Sequence, residues 1–258
     1  MMKNNLTDYK WALVTGASSG IGEEFAYQLS KRGMNLVLVG RDKGRLDEVA
    51  SRVSQLGVEA VPVAEDLTKG LDEVIRVISE RKIDIDLLIN SAGIGIYGDF
   101  IEKDISKPHE MIEINVKVLT DLAYIFSKKM VERGKGGIIN VSSIAGLFPV
   151  PYYAVYGATK AYVYSFSLAL WAELRDKNVH VLCLAPGKTK TRHSERAGSN
   201  VGGKKMEPAE VVRTTLKSFE RGDPFVLPGP MNKIFSFIGG IFPDKLVVRV
   251  IGSFPQYF

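Results

Sequence analysis

The stretch "WALVTGASSGIG", residues 11–22, joins a short apolar run to three closely spaced glycines. The apolar run is typical of a buried β-strand, and glycines allow the chain to turn sharply from a strand into a helix. A helix that begins near Gly20 would point its free N–H groups and the positive end of its dipole at a phosphate. The stretch therefore predicts a strand–turn–helix unit that binds a dinucleotide. The candidate contact residues in this unit are Gly16, Ser18, Ser19, Gly20, Ile21 and Gly22.

The rest of the chain continues this alternation of strands and helices. The strand-like runs are "WALVT", "NLVLVG", "VEAVPV", "DLLIN", "GIINVSS" and "VHVLCLA", with a short "FVLP" run later. The amphipathic stretches cover residues 21–32, 43–56, 70–82, 108–133, 157–176 and 208–221. Continuously apolar strands are expected where both faces of a parallel sheet are buried, and parallel neighbours need a crossover element. We therefore predict an α/β fold of the Rossmann type, a doubly wound parallel sheet of about seven strands with helices on both faces.

Composition sets limits on the class of protein. The 258 residues are 45% hydrophobic and 24% charged, and no linker or repeat divides them. We expect one domain over residues 1–258. The net charge of +5 is too mild to indicate a nucleic-acid partner. It fits a chain that handles a small polyanion and fits an ordinary basic surface equally well.

The single cysteine, Cys183, lies in the apolar run "VHVLCLAPG" and is expected to be a buried strand residue. One thiol cannot form an intrachain disulfide, which fits a reducing compartment. The N-terminal stretch has no long apolar core, and no run approaches the roughly 18 apolar residues of a spanning helix. We expect a cytoplasmic protein, and we identify no metal site.

The end of the second strand-like run, "LVLVGRDKGRL", indicates which dinucleotide binds. An acidic residue at this point would bond the 2′-hydroxyl of the adenosine ribose and repel a 2′-phosphate. The chain has Gly40 there, followed by Arg41. Space and a guanidinium favour NADP over NAD, although Arg41 could also be an exposed loop residue. Asp42 more readily caps the next helix.

Polar and small residues follow the third and fourth strand-like runs. "EDLT" places Asp66 and Leu67 after the third, where the Asp66 carboxylate could reach the adenine edge. "INSAG" places Asn90, Ala92 and Gly93 after the fourth, where small residues would let a dinucleotide lie across the sheet. The carboxyl ends of parallel strands are where open α/β sheets bind ligands.

Candidate catalytic residues lie in the second half of the chain. Ser143 ends "GIINVSS", and Tyr156 and Lys160 in "YGATK" share one helix face because they are four residues apart. A phenol has an ordinary pKa of about 10, which an adjacent ammonium lowers. With a serine to hold the oxygen of a ketone, the tyrosine could protonate that oxygen as hydride reaches the carbon. Alone, the pair fits a core tyrosine beside a surface lysine better; the serine and the upstream glycine turn favour catalysis.

With these motifs the chain resembles the classical short-chain dehydrogenase/reductase family, over about residues 10–192. The family's glycine turn corresponds to "TGASSGIG", its Asn-Asn-Ala-Gly motif to "NSAG", and its catalytic serine, tyrosine and lysine to Ser143, Tyr156 and Lys160. NADP-preferring members carry a basic residue where Arg41 stands. The resemblance thus implies an NADP(H)-dependent oxidoreductase.

The resemblance adds further site residues. It implies that Asn115 in "MIEINVKVL" supports, through water, a proton relay that ends at Lys160. It also implies that the segment "APGKTKT" contacts the nicotinamide through Pro186, Gly187, Thr189 and Thr191. Two positions depart from the family pattern: Ser91 replaces its second asparagine, and Thr189 replaces an apolar residue, which bears on how the carboxamide is held.

The segment after Ser143, "IAGLFPVPYYAV", is apolar and aromatic and would border the substrate. We name Ser143, Phe148, Tyr152 and Tyr153 as candidate substrate contacts and expect a hydrophobic carbonyl compound. Packing against a neighbouring helix is an equally good interpretation for most of these side chains; the polar tips of the tyrosines favour a pocket.

The chain after residue 187 is less regular. The resemblance implies a lid at about residues 188–206, a basic segment that could attract an anionic group but fits a solvated loop better. An apolar C-terminal elaboration, about residues 225–258, is expected to pack on the chain or in a homodimer or homotetramer rather than on a membrane.

The sequence thus predicts an enzyme that interconverts a secondary alcohol and a carbonyl compound, with a small molecule as substrate. 3-Oxoacyl thioesters, hydroxysteroids and general aldehydes or ketones stay open. A non-catalytic NADP-binding sensor or scaffold is the alternative, and the complete serine–tyrosine–lysine set argues against it. A sugar-nucleotide epimerase or dehydratase would need a larger C-terminal part.

Overall fold

The computed structural model describes residues 5–191, 205–230, 232 and 243–253 of the chain. Seven strands lie within these residues: β1 Trp11–Thr15, β2 Asn35–Gly40, β3 Ala60–Ala64, β4 Leu87–Asn90, β5 Gly136–Val141, β6 Val179–Leu184 and β7 Phe225–Val226. The α-helices they contain are α1 Gly20–Ser30, α2 Lys43–Ser54, α3 Asp72–Glu80, α4 Ser106–Ile112, α5 Leu119–Arg133, α6 Ala154–Leu174, α7 Pro208–Arg221 and α8 Asp244–Ser253. A π-helical turn, Glu113–Val118, joins α4 to α5.

The strands form one parallel sheet in the order β3-β2-β1-β4-β5-β6-β7. The chain runs outward from β1 to β3, returns to β4 beside β1, and then runs outward in the other direction to β7. The strand order therefore reverses between β1 and β4, which opens a crevice at the carboxyl ends of these strands. The predicted doubly wound parallel sheet is confirmed.

Helices cover both faces of the sheet because successive strand residues point to opposite sides. In β1, Ala12 and Val14 pack in a cluster with residues of α1, α2 and α7. Leu13 packs on the other face, in a cluster with residues of α3, α5 and α6. Burial of apolar side chains on both faces stabilises the sheet and fixes the strand ends that form the crevice.

A third apolar cluster ties the last helix to the segment after β5. Val247 and Ile251 of α8 pack against Phe148, Val150 and Tyr153. The described part of the C-terminal elaboration thus packs on the chain itself. Among the helices of the described residues, none has the length and apolarity to cross a lipid bilayer.

Candidate active site

A cleft of about 870 Å³ runs along the carboxyl ends of the strands, at the upper end of the size range of small-molecule sites. Most of the predicted site residues line it: Gly16, Ser18, Ser19, Gly20, Ile21, Arg41, Asp66, Leu67, Ala92, Gly93, Ser143, Tyr153, Tyr156, Lys160, Pro186, Gly187, Thr189 and Thr191. Five do not: Gly22, Asn90, Asn115, Phe148 and Tyr152. The sequence motifs therefore converge on one site.

The glycine turn between β1 and α1 forms the floor of the cleft at its centre. Gly16 and Gly20 have φ angles of 66° and 61°, which side chains with a Cβ rarely adopt. A Cβ on Gly16 would lie 3.0 Å from the backbone of Ala92, and a Cβ on Gly22 would lie 2.4 Å from the carbonyl oxygen of Gly16. Glycine at these positions therefore lets the turn lie close to the segment after β4 and to the first turn of α1.

Charged residues line one end of the cleft. The Arg41 guanidinium, directly after β2, lies 3.4 Å from the Glu110 carboxylate of α4. Hydrogen bonds from Thr68 hold the pKa of the Asp66 carboxyl below its ordinary value, and the nearby Arg41 and Lys69 act in the same direction. Asp66 therefore carries a negative charge at neutral pH.

Ser143 and Tyr156 meet at the other end of the cleft. Ser143 precedes a short 3₁₀ turn, Ile144–Gly146, and its hydroxyl accepts a hydrogen bond from the Ala145 N–H at 3.2 Å. A hydrogen bond also links Ser143 to the Tyr156 phenol at the start of α6. Gly146 permits this approach, since a Cβ there would lie 2.5 Å from the backbone of Lys160.

Lys160 enters the same end of the cleft from one turn further along α6. Its amino group donates a hydrogen bond to the Val141 carbonyl at 2.8 Å and lies 5.8 Å from the ring centre of Tyr156. Burial lowers the pKa of this amino group to about 8. The Lys160 amino group is thus close to Tyr156, but it is hydrogen-bonded to the backbone carbonyl of the last residue of β5.

The prediction that Lys160 lowers the pKa of Tyr156 is wrong for this structure. Burial raises the pKa of the Tyr156 phenol to about 12; the hydrogen bond with Ser143 lowers it and the neighbouring Tyr153 raises it. Loss of water around the phenol is the largest of these causes and disfavours its charged form. The phenol therefore keeps its proton at neutral pH.

Asn115 joins three parts of the site from within the π-helical turn. Its Oδ1 accepts a hydrogen bond from the Ile94 N–H at 2.9 Å, and its Nδ2 donates to the Ile94 carbonyl at 2.9 Å and to the Thr159 hydroxyl at 3.1 Å. The Thr159 hydroxyl in turn donates to the carbonyl of Tyr156 at 2.8 Å. Asn115 therefore fixes the segment after β4 against α6, while its role in a proton relay stays a prediction.

Three other predicted contacts lie beside the cleft instead of lining it. Asn90 is buried between strands, where its Nδ2 donates to Asn140 Oδ1 at 2.9 Å. Phe148 packs against α8. Tyr152 is 39% exposed, with a φ of 66°, and its ring centre lies 5.8 Å from that of Tyr97. Of the aromatic residues predicted to contact substrate, only Tyr153 lines the cleft, 5.5 Å from Tyr156 between ring centres.

The segment after β6 crosses the glycine turn. Thr191 lies against Gly20, where a Cβ would come within 2.9 Å of the threonine methyl. An isolated parallel bridge pairs Thr189 with Met206, and Lys188 and Lys205 line the cleft. Of the predicted lid, only residues 188–191 and 205–206 are described; residues 192–204 lie outside the described residues.

Sequence reasoning missed residues that reach the cleft from elements with no recognisable motif. Ile94 and Ile96 follow β4 and form an apolar part of the cleft wall. Lys107 and Glu110 reach the cleft from α4. The two isoleucines directly follow "NSAG" and could have been found by extending that motif. Nothing in the sequence places α4 beside Arg41.

Comparisons with known proteins agree with this geometry. A family model described as short chain dehydrogenase matches residues 10–202. An uncharacterised oxidoreductase of Staphylococcus epidermidis is 34% identical over 205 residues, which cover 79% of this chain and 87% of that protein. A very-long-chain 3-oxoacyl-CoA reductase of Anas platyrhynchos is 36% identical over 72% of this chain and 61% of its own length.

Solved structures give the same picture. A short-chain dehydrogenase from Sphingobium yanoikuyae in complex with NADPH is 34% identical with a TM-score of 0.81, covering 90% of this chain and 93% of its own. A bulky-bulky ketone specific alcohol dehydrogenase from Comamonas testosteroni is 32% identical with a TM-score of 0.77 and the same coverage.

Proposed function

The chain belongs to the short-chain dehydrogenases, and from this membership we propose that it is an NADP(H)-dependent oxidoreductase that interconverts a secondary alcohol and a carbonyl compound. The observation that carries the proposal is the position of Ser143, Tyr156 and Lys160 at one end of a cleft whose floor is the glycine turn. Reduction of the carbonyl compound is the direction we favour.

The residues of the cleft suit a dinucleotide. Gly16 and Gly20 leave no side chain over the turn, so backbone N–H groups at the start of α1 are accessible to a pyrophosphate. Gly93 lies where a Cβ would come within 2.9 Å of Asn115 Oδ1 and 3.4 Å of Lys160 Nζ. A side chain at this position would therefore crowd Asn115 and Lys160, and glycine leaves the cleft open between the turn and the catalytic residues.

Two observations support NADP(H) over NAD(H). Arg41 lines the cleft directly after β2, where the 2′-phosphate of the adenosine ribose would lie. The similar dehydrogenase of Sphingobium yanoikuyae is in complex with NADPH. A guanidinium and a phosphate form strong charge-assisted hydrogen bonds.

The protonation states fit carbonyl reduction. NADPH in this cleft would supply a hydride to the carbonyl carbon. Tyr156 keeps its proton at neutral pH because its pKa is raised to about 12, so its hydroxyl donates that proton to the carbonyl oxygen. Ser143, hydrogen-bonded to the same phenol, holds the oxygen in place. The ammonium of Lys160 then stabilises the tyrosinate that is left.

The apolar lining near Tyr156 supports a hydrophobic substrate. Ile94, Ile96, Ile144, Ala145 and Tyr153 line this end of the cleft. Similar proteins are named for 3-oxoacyl-CoA and for bulky ketones. We propose a hydrophobic carbonyl compound, with 3-oxoacyl thioesters, hydroxysteroids and general ketones or aldehydes as the classes to test.

The Tyr156→Phe substitution tests the proposal because it removes the proton donor and keeps the ring. We expect turnover of NADPH with the best substrate of those classes to fall at least about 100-fold, while the dissociation constant for NADPH, measured by calorimetry, changes less than about threefold. Tyr164→Phe is the matched control: it is the same substitution in α6, at a ring that packs against Phe225.

Retained turnover in the Tyr156→Phe variant would remove Tyr156 from the mechanism. Tight NADPH binding by the wild-type protein without turnover on any of the substrate classes would instead support the sensor or scaffold. A strong preference for NADH would contradict the role given to Arg41.

A further inference from the structure

An ion pair spans the charged end of the cleft. Arg41 follows β2 on one wall, Glu110 lies in α4 on the other, and Arg41 Nη1 is 3.4 Å from Glu110 Oε1. Their side chains are 55% and 32% exposed, and both line the cleft. The contact therefore joins the two walls at a place where a bound ligand would meet both side chains.

The other carboxylates near Arg41 accept their hydrogen bonds from other residues. Asp42 caps α2 by accepting a hydrogen bond from the Arg45 N–H at 3.2 Å. Asp66 accepts from the Thr68 hydroxyl at 2.8 Å. Within the part of the chain that the structure describes, Glu110 supplies the one carboxylate at ion-pair distance from Arg41.

We propose that Glu110 is a specificity-determining residue that narrows the preference for NADP(H) over NAD(H), because its carboxylate occupies the guanidinium that a 2′-phosphate needs. The inference rests on the proposed function. A 2′-phosphate at Arg41 has to compete with the Glu110 carboxylate for the guanidinium and lies near a like charge. A 2′-hydroxyl carries no charge and can bind with the ion pair in place.

Lys107 offers the Glu110 carboxylate a second partner when a 2′-phosphate competes for Arg41. Its amino group is 3.9 Å from Glu110 Oε2, one helical turn earlier in α4, and it also lines the cleft. A carboxylate displaced from Arg41 can therefore stay paired with Lys107. Glu110 thus weakens the binding of a 2′-phosphate and does not exclude it.

Glu110→Gln tests the inference, since glutamine keeps the shape and removes the charge. We expect the dissociation constant for NADPH, measured by calorimetry at low ionic strength, to fall about three- to tenfold, and that for NADH to change less than about twofold. The gain should shrink as salt is added, because partly exposed charges are screened. Glu110→Lys, as a second variant, should give a larger gain.

The matched control is Glu113→Gln, one turn along the same helical run, whose carboxylate is 3.0 Å from Lys117; it should leave both dissociation constants unchanged. An unchanged NADPH constant in both Glu110 variants would overturn the inference, as would equal gains for NADPH and NADH or a gain that salt does not reduce. Failure of the wild-type protein to bind either nucleotide would instead overturn the proposed function.

Discussion

At the scale of single residues, the site contains two buried groups whose charged forms are disfavoured. Burial raises the pKa of the Tyr156 phenol and lowers that of the Lys160 amine to about 8. Without nucleotide, Lys160 therefore loses its proton far more readily than a solvated lysine. An anionic cofactor bound beside it would favour the ammonium again.

This shift links Lys160 to stability. The unfolded chain holds the Lys160 proton up to the ordinary pKa of about 10.4, whereas the folded chain loses it near pH 8. Between these values the unfolded state binds more protons, so the free energy of unfolding rises with pH. We expect Lys160 to raise the free energy of unfolding by about 1 kcal/mol between pH 8 and 9. Urea titrations of the cofactor-free protein at these pH values measure this free energy.

The rise should disappear in Lys160→Met, which keeps an unbranched side chain without the charge. Lys129→Met, an exposed position in α5, should behave as the wild-type protein does. Equal pH dependence in all three proteins would show that the Lys160 amine is solvated in the folded state.

Residue identities in the site could be predicted from sequence, but their protonation could not. Spacing placed Tyr156 and Lys160 on one helix face. The direction of the pKa shifts depends on how completely α6 is buried and on the bond from Lys160 to the Val141 carbonyl. Neither feature has a local signal in the sequence.

At the scale of elements, the turn between β1 and α1 requires glycine, which has no side chain. We expect Gly22→Ala to destabilise the protein by roughly 1–3 kcal/mol, because the new Cβ would lie 2.4 Å from the Gly16 carbonyl oxygen. The displaced turn should also weaken NADPH binding. Thermal unfolding and calorimetry measure the two effects.

Gly44→Ala is the matched control in α2. Its Cβ would meet nothing closer than Asp42 Oδ1 at 3.8 Å, so the better helix propensity of alanine should stabilise the protein by up to about 1 kcal/mol. A Gly22→Ala protein as stable as Gly44→Ala would mean that the turn relaxes without cost.

Elements were predicted well wherever hydrophobic periodicity was regular. The stretch 108–133 was predicted as one helix and instead contains α4, the π-helical turn and α5. A π turn leaves the chain helical, so periodicity does not reveal it. Asn115 lies in this turn, and its side chain makes the hydrogen bonds with Ile94 and Thr159.

At the scale of the whole molecule, α8 supports the substrate end of the cleft from outside. Ile251 is buried against the segment that ends at Tyr153. We expect Ile251→Ala to loosen this segment and raise KM for a hydrophobic ketone about three- to tenfold, while the dissociation constant for NADPH stays unchanged. Steady-state kinetics and calorimetry separate the two.

Val250→Ala provides the control, since Val250 lies in the same helix and is 52% exposed. It should leave KM unaltered. If Ile251→Ala weakens ketone and NADPH binding equally, α8 stabilises the fold in general and not the substrate segment.

The architecture of the whole chain followed from the alternation of apolar runs and amphipathic stretches, because parallel neighbours require crossovers. The packing of α8 could not be predicted from the sequence, since its apolar face fits the chain itself or a second subunit equally well. Oligomerisation and a cytoplasmic location stay predictions.

The ion pair at one end of the cleft and the proton donor at the other come from separate stretches of chain. Arg41 and Glu110 come from before β5, whereas Ser143, Tyr156 and the segment held by α8 come from its end and beyond. Mutations can therefore alter nucleotide preference and carbonyl preference independently over evolutionary time, with the proton donor inherited unchanged. Two descendants of one ancestral gene could share a cofactor and differ in metabolite, or the reverse.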